Sequence, residues 1–179
     1  GPITIAYAGR SIAGKGIDWA VEVFRRLEGD KAFETAVYGY IWPDEREDRS
    51  LHTQLLRQDR IKYVCAEYRG WSPTVDHNMT EMLRRTDILL LPYRRLSSTV
   101  DMPLLLLEGM AANCAIITTD LGDLAAIHGN RRFVVDPRKY IDRSVELIRS
   151  ASDYLADERR RMAAQVGRLA FDTGTAANK

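Results

Sequence analysis

The chain has 179 residues, 45% of them hydrophobic, which is enough for one well-buried domain and short of two. Its 26 Lys and Arg against 25 Asp and Glu leave a net charge of +1, which excludes a global field for nucleic acid or an anionic membrane, so any anion site must be local. Cys65 and Cys114 lie in apolar runs without metal-ligand spacing and only three histidines accompany them, which argues against a structural metal site and a disulfide scaffold; reduced, buried thiols fit a cytosolic compartment.

Gly1-Pro2 stands directly before the first apolar segment with no initiating Met and resembles a cleavage scar, from which a longer natural protein is expected. Six short apolar segments follow, Ile3 to Ala8, Phe33 to Gly39, Ile61 to Cys65, Ile88 to Leu91, Ala115 to Thr119 and Phe133 to Val135. Each has the length of a strand buried on both faces. Between the first two, Ile17, Ala20, Val21, Phe24 and Leu27 mark one face of a helix, and Asp18, Glu22, Arg25 and Arg26 the wet one.

Further helices are predicted over Arg49 to Gln58, Asp76 to Arg85 and Pro103 to Ala112, the last with Asp101 near its N-terminal cap. A short turn over Asp123 to His128 and two closing helices, Tyr140 to Ser150 and Asp153 to Phe171, complete the chain; residues 172–179 read as a flexible tail. Strand and helix alternate throughout, which defines a single α/β domain, a Rossmann-like doubly wound parallel sheet of about six strands with helices on both faces. No apolar run approaches the roughly 20 residues that span a bilayer.

Ligands of such sheets bind beyond the carboxyl ends of the strands. The first loop there, GRSIAGKG, joins three glycines to two cations, Arg10 and Lys15, ahead of a helix N-terminus with its free N–H groups, a combination suited to a diphosphate. It is neither a Walker motif nor a G-x-G-x-x-G fingerprint, which weakens an oxidoreductase reading. Glu108 is the one carboxylate in an otherwise apolar helix. Burial of an unpaired carboxylate costs several kcal/mol, so Glu108 is expected to meet a ligand or an arginine such as Arg94 or Arg95. Tyr40, Trp42, Tyr68 and Trp71 stand at the same edge and are candidates for stacking on a nucleobase, with packing as the alternative. His128 reads as a helix-end residue and the run Arg159 to Arg161 as a solvated helix face.

Taken in order, GRSIAGKGIDWAVEVF, TDILLLPY and PLLLLEGMAANCAIITTDLG resemble the C-terminal, donor-binding half of the large retaining glycosyltransferase family 4, over about residues 3–150. The resemblance implies the two-lobed GT-B fold, with this chain as its C-terminal half. It implies that Arg10 and, five residues on, Lys15 bind the donor diphosphate. It also implies that Glu108, matching the second Glu of a Glu-x7-Glu motif, grips the ribose hydroxyls. The first Glu of that motif contacts the transferred sugar; here Val100 holds its position and Asp101 is one residue out of register. Pro103 stands where many members carry Gly, and the backbone N–H groups of Leu104 and Leu105 remain free to meet a phosphate.

The resemblance thus implies a retaining, metal-independent transferase that moves a hexose from a UDP- or GDP-type sugar to a glycan, lipid or other acceptor, with no cofactor and no nucleic-acid partner. The acceptor, and any peripheral membrane contact of a cytoplasmic enzyme, would belong to an N-terminal domain outside this chain, without which the isolated chain is expected to be inactive. The alternative is a non-catalytic nucleotide-binding or interaction module of the same fold.

Overall fold

The computed structural model describes residues 1–70, 73–96 and 104–177. Six strands form one parallel sheet: β1 (Ile3–Arg10), β2 (Phe33–Ile41), β3 (Tyr63–Glu67), β4 (Ile88–Leu91), β5 (Ala115–Thr119) and β6 (Val134–Val135), in the order β3-β2-β1-β4-β5-β6. The helices are α1 (Ile17–Arg26), α2 (Arg46–Leu56), α3 (Pro73–Arg84), α4 (Leu104–Ala111), α5 (Leu124–His128), α6 (Tyr140–Arg149) and α7 (Leu155–Ala177). A parallel sheet needs crossovers, and the crossovers here put helices on both faces.

The alternation of side chains along each strand divides the core in two. Ile5, Tyr7, Val37, Ile88, Leu90 and Ile117 pack with Ile17, Val21, Phe24, Val145 and Ile148 of α1 and α6. On the other face Ala6, Ala8, Leu89, Leu91 and Ile116 pack with Leu106, Met110, Leu124 and Met162 of α4, α5 and α7. β4 is buried along its whole length, as its run of four aliphatic residues requires.

Several expectations are corrected. β1 and β2 each run two residues past the expected end, because the register Gly9↔Gly39 and Arg10↔Tyr40 continues the ladder into the glycine-rich loop. β3 is not buried on both faces: Val64 is 46% exposed, since this edge strand lies far from α4 and α7. α7 continues to Ala177, beyond Phe171, because a helix already nucleated propagates at little cost through residues 172–177.

The arginine run on α7 is not a uniformly solvated face. Arg159 donates to the Asp87 carboxylate at 2.8 Å and to the Asn113 carbonyl at 2.8 Å, and Arg161 holds Glu158 and His128, while Arg160 faces solvent. Cys65 and Cys114 are both free thiols, Cys114 fully buried.

Candidate functional site

The strand order reverses between β1 and β4, and at their carboxyl ends lies a cavity of about 200 Å³ walled by Tyr7, Gly9, Arg10, Lys15, Tyr40, Tyr93, Leu104 and Leu105. This switch point is where a doubly wound sheet receives its ligand. Two larger hollows, of about 500 and 470 Å³, open toward the opposite ends of the strands, around Phe33 and around Thr4 and Thr86, and neither contains Arg10 or Lys15.

The loop that leaves β1 makes a single 3-10 turn, Ala13–Lys15, and then enters α1 through Gly16, which adopts φ +76°. The backbone bond from Ala20 N–H to the Gly16 carbonyl closes the first turn of α1, leaving the N–H groups of its opening residues directed to the carboxyl edge of the sheet. α4 supplies a second such terminus, with Leu104 and Leu105 its first two residues. The two cations and the start of α4 expected from the sequence are therefore brought to one cavity.

Arg10 is not a solvated cation. Its Nε and Nη2 donate to Asp48 Oδ2 and Oδ1 at 2.9 and 2.7 Å, and its guanidinium lies 4.0 Å from the ring centroid of Trp42. Asp48, in the first turn of α2, is fully buried and also accepts the Trp42 backbone N–H at 2.8 Å. Burial on its own raises the Asp48 pKa, but the bonds from Arg10 and Trp42 outweigh it and hold the carboxylate below its ordinary range. Arg10 and Asp48 thus form a pair of no net charge, and among the described residues no carboxylate forms a salt bridge with Lys15. The Lys15 ammonium sits 5.3 Å from the Tyr93 ring centroid, half-buried, and burial together with the charge of Arg10 lowers its pKa.

Glu108 is exposed, contrary to the expectation of burial. The face of α4 turned to the core carries Leu106, Gly109 and Met110, while Leu104, 66% exposed, and Glu108, one turn along, share the outer face. Leucine-rich composition hid this division. The Glu108 charge still reaches the cavity wall: burial, then Tyr40 and Glu108, raise the pKa of the Tyr93 hydroxyl. Arg94 pairs with Asp18 at 2.5 Å and stacks on Trp19, and Arg95 lies against Gly14. Asp101, the candidate for the sugar contact, lies outside the described residues, as do Val100, Pro103 and Trp71.

Three of the four candidate aromatics do come together. Trp42 and Tyr68 stack with centroids 6.5 Å apart and Tyr40 tilts against Tyr68 at 5.8 Å, beside Arg10. Trp42 and Tyr68 are 43% and 42% exposed, a flat apolar shelf open to a ring. Beneath it, Tyr63 bonds both Ser11 and His52 at 3.0 Å. His128 ends α5 and is fully buried; it is a packing residue 2.7 Å from the Ile116 carbonyl.

Asp48 is the residue that reading the sequence missed. The available signal was an acid in the first helical turn after β2, since a parallel neighbour of β1 must deliver that turn to the side of Arg10.

The fold is a Rossmann-like domain of the GT-B type, with the cavity at its switch point. The chain belongs to the family of glycosyl transferases group 1, whose model matches residues 2–153. Similar solved structures include the C-terminal domain of the group 1 glycosyl transferase LpcC from Francisella tularensis, at 19% identity and TM-score 0.65, covering 95% of this chain and 85% of that one. A TarM mutant from S. aureus in complex with UDP and other ligands matches 92% of this chain and 32% of its own, at 12% identity and TM-score 0.63. Anabaena HepE in complex with UDP and glucose matches 94% of this chain and 43% of its own, at 12% identity and TM-score 0.64. The chain therefore spans about a third of TarM and less than half of HepE. No curated protein matches it in sequence.

Proposed function

We propose that this chain is the donor-binding lobe of a retaining glycosyltransferase that transfers a hexose from a nucleoside diphosphate sugar. One observation carries the reading: Arg10, Lys15 and the first residues of α4 line one cavity at the switch point of the sheet. A leaving diphosphate develops negative charge, and a lysine, a fixed guanidinium and helical N–H groups are the donors that stabilise it in place. With that charge supplied by the protein, the reaction needs no divalent cation.

Glu108, a turn beyond Leu104 on the exposed side of α4, accepts from the ribose hydroxyls, and the Trp42–Tyr68 shelf receives the base. Asp101 takes the sugar contact. The UDP in the TarM and HepE complexes supports a uridine nucleotide as the first donor to try. The acceptor, a glycan or lipid, belongs to a further lobe, and catalysis to the two lobes together. Calorimetric titration of the chain with UDP-, GDP- and ADP-glucose tests the reading: one of the three binds and the others bind more weakly. A folded chain that binds none of them, nor the free diphosphates, rejects it.

A further inference from the structure

We propose that Asp48 is a positioning residue for the diphosphate: it holds the Arg10 guanidinium by its Nε–Nη2 edge and so presents the Nη1–Nη2 edge to the phosphates. The proposal rests on the donor-site reading above and deepens it.

A guanidinium carries five N–H donors in a plane. Asp48 takes one from Nε and one from Nη2, at 2.9 and 2.7 Å. No described residue is bonded to the remaining three, and of these one Nη1 N–H and the second Nη2 N–H run parallel along the Nη1–Nη2 edge, in the geometry that grips two oxygens of a phosphate. Trp42 fixes the plane of the group from one side at 4.0 Å, and Trp42 is itself tied to Asp48 through its backbone N–H at 2.8 Å. One fully buried carboxylate therefore sets both the direction and the tilt of Arg10. A free arginine loses its rotamer entropy when the ligand arrives; this one has lost it on folding. The bonds from Arg10 and from the Trp42 N–H keep Asp48 ionised, and its place in the first turn of α2 favours the anion as well.

The same pair admits a contrary outcome, in which Asp48 competes with the phosphate and the ion pair must open first. A cycle of Asp48→Asn, Arg10→Gln and the double variant separates the two, read as Kd for UDP and for uridine. Positioning predicts that Asp48→Asn weakens UDP binding about tenfold, leaves uridine binding unchanged, and has no further effect once Arg10 is Gln. Tighter or equal UDP binding by Asp48→Asn overturns the proposal, as does a loss that persists in the Arg10→Gln background or that uridine shares equally.

If Asp48→Asn does not fold, the unaltered chain still decides. In protein labelled with 15N-arginine, the Arg10 Nε–H signal is expected to stay protected from exchange both free and with UDP bound; loss of that protection on UDP addition overturns positioning. A chain that binds neither UDP nor another nucleoside diphosphate removes the donor-site reading itself, whereas a chain that binds UDP and shows no response to Asp48→Asn removes only the role of Asp48.

Discussion

A Cβ on Gly16 would stand 1.8 Å from the carbonyl oxygen of Pro92, so the entry to α1 and the end of β4 touch backbone to backbone. At φ +76° Gly16 also occupies a conformation that side-chain-bearing residues avoid. Gly16→Ala is therefore expected to cost about 3 kcal/mol or more, strain and overlap together. Chemical denaturation measures it; a loss below ~1 kcal/mol would mean the two segments separate easily.

Arg10→Ala and Glu108→Ala are each expected to weaken UDP binding by roughly 1–3 kcal/mol, the range for losing a hydrogen bond to a charged group. Their effects on stability should differ. Arg10→Ala leaves the buried Asp48 without its cation, which costs about 3–5 kcal/mol, whereas Glu108→Ala, at an exposed site, stays within about 1 kcal/mol. Thermal melts beside the titrations check both halves, and unchanged affinity in both variants rejects the assigned roles.

The lowered pKa of Lys15 sets a pH dependence for binding. Only the ammonium attracts a diphosphate, so affinity for UDP is expected to fall as pH rises through the Lys15 pKa, earlier than an ordinary lysine at 10.5 would cause. Titrations across pH 7 to 10, set beside Lys15→Met, show it: the variant binds more weakly at neutral pH and loses that part of the slope.

His128 governs a different pH dependence, that of folding. The Asn130 N–H and an Arg161 N–H both point at Nδ1, at 3.2 and 3.1 Å, while Nε2 lies 2.7 Å from the Ile116 carbonyl, so the ring is neutral with its proton on Nε2. Burial is the first cause of its depressed pKa, and Arg161 adds to it. A depressed histidine pKa means that the unfolded chain binds the extra proton first. Its contribution to stability is complete above the unfolded value of about 6.5 and is lost as pH falls from there toward the folded pKa. Each kcal/mol lost lowers Tm by about 2–4 °C in a chain of this size. Melts from pH 7.5 to 5 should show this decline, and His128→Gln should flatten it; an identical slope in the variant would assign the effect elsewhere.

Trp42→Ala and Tyr68→Ala address the aromatic shelf. Base stacking on an aromatic side chain is worth about 1–3 kcal/mol, so both variants are expected to weaken uridine and UDP binding; Tyr68→Ala should leave inorganic pyrophosphate binding nearly unchanged, whereas Trp42→Ala, which also frees one side of Arg10, should weaken it by a smaller factor. Equal loss for all three ligands would instead mean that Trp42 acts by holding Arg10.

Most of the architecture was legible in the residues. Runs such as Ile88 to Leu91 fit only a strand covered on both sides, and the face Ile17, Ala20, Val21, Phe24 fits only a helix laid on that sheet. The pairing of Arg10 with Lys15 was legible as well, because both sit in one loop. What could not be read was anything set by the turn of one element against another. Four leucines before Glu108 look the same whether their helix is enclosed or half open, and only packing on Leu89 and Ile116 decides which face is inside. Asp48 is 38 residues from Arg10, and their meeting depends on the β1–β2 register.

The cavity at the switch point, about 200 Å³, is smaller than the roughly 300–1,000 Å³ of a pocket that encloses a drug-sized ligand. This chain thus offers a floor and not a chamber. A diphosphate resting on it keeps one side in water, where mobile ions screen Lys15 over about 8 Å at physiological salt. Binding of a nucleoside diphosphate here, as proposed, is therefore expected to weaken as ionic strength rises.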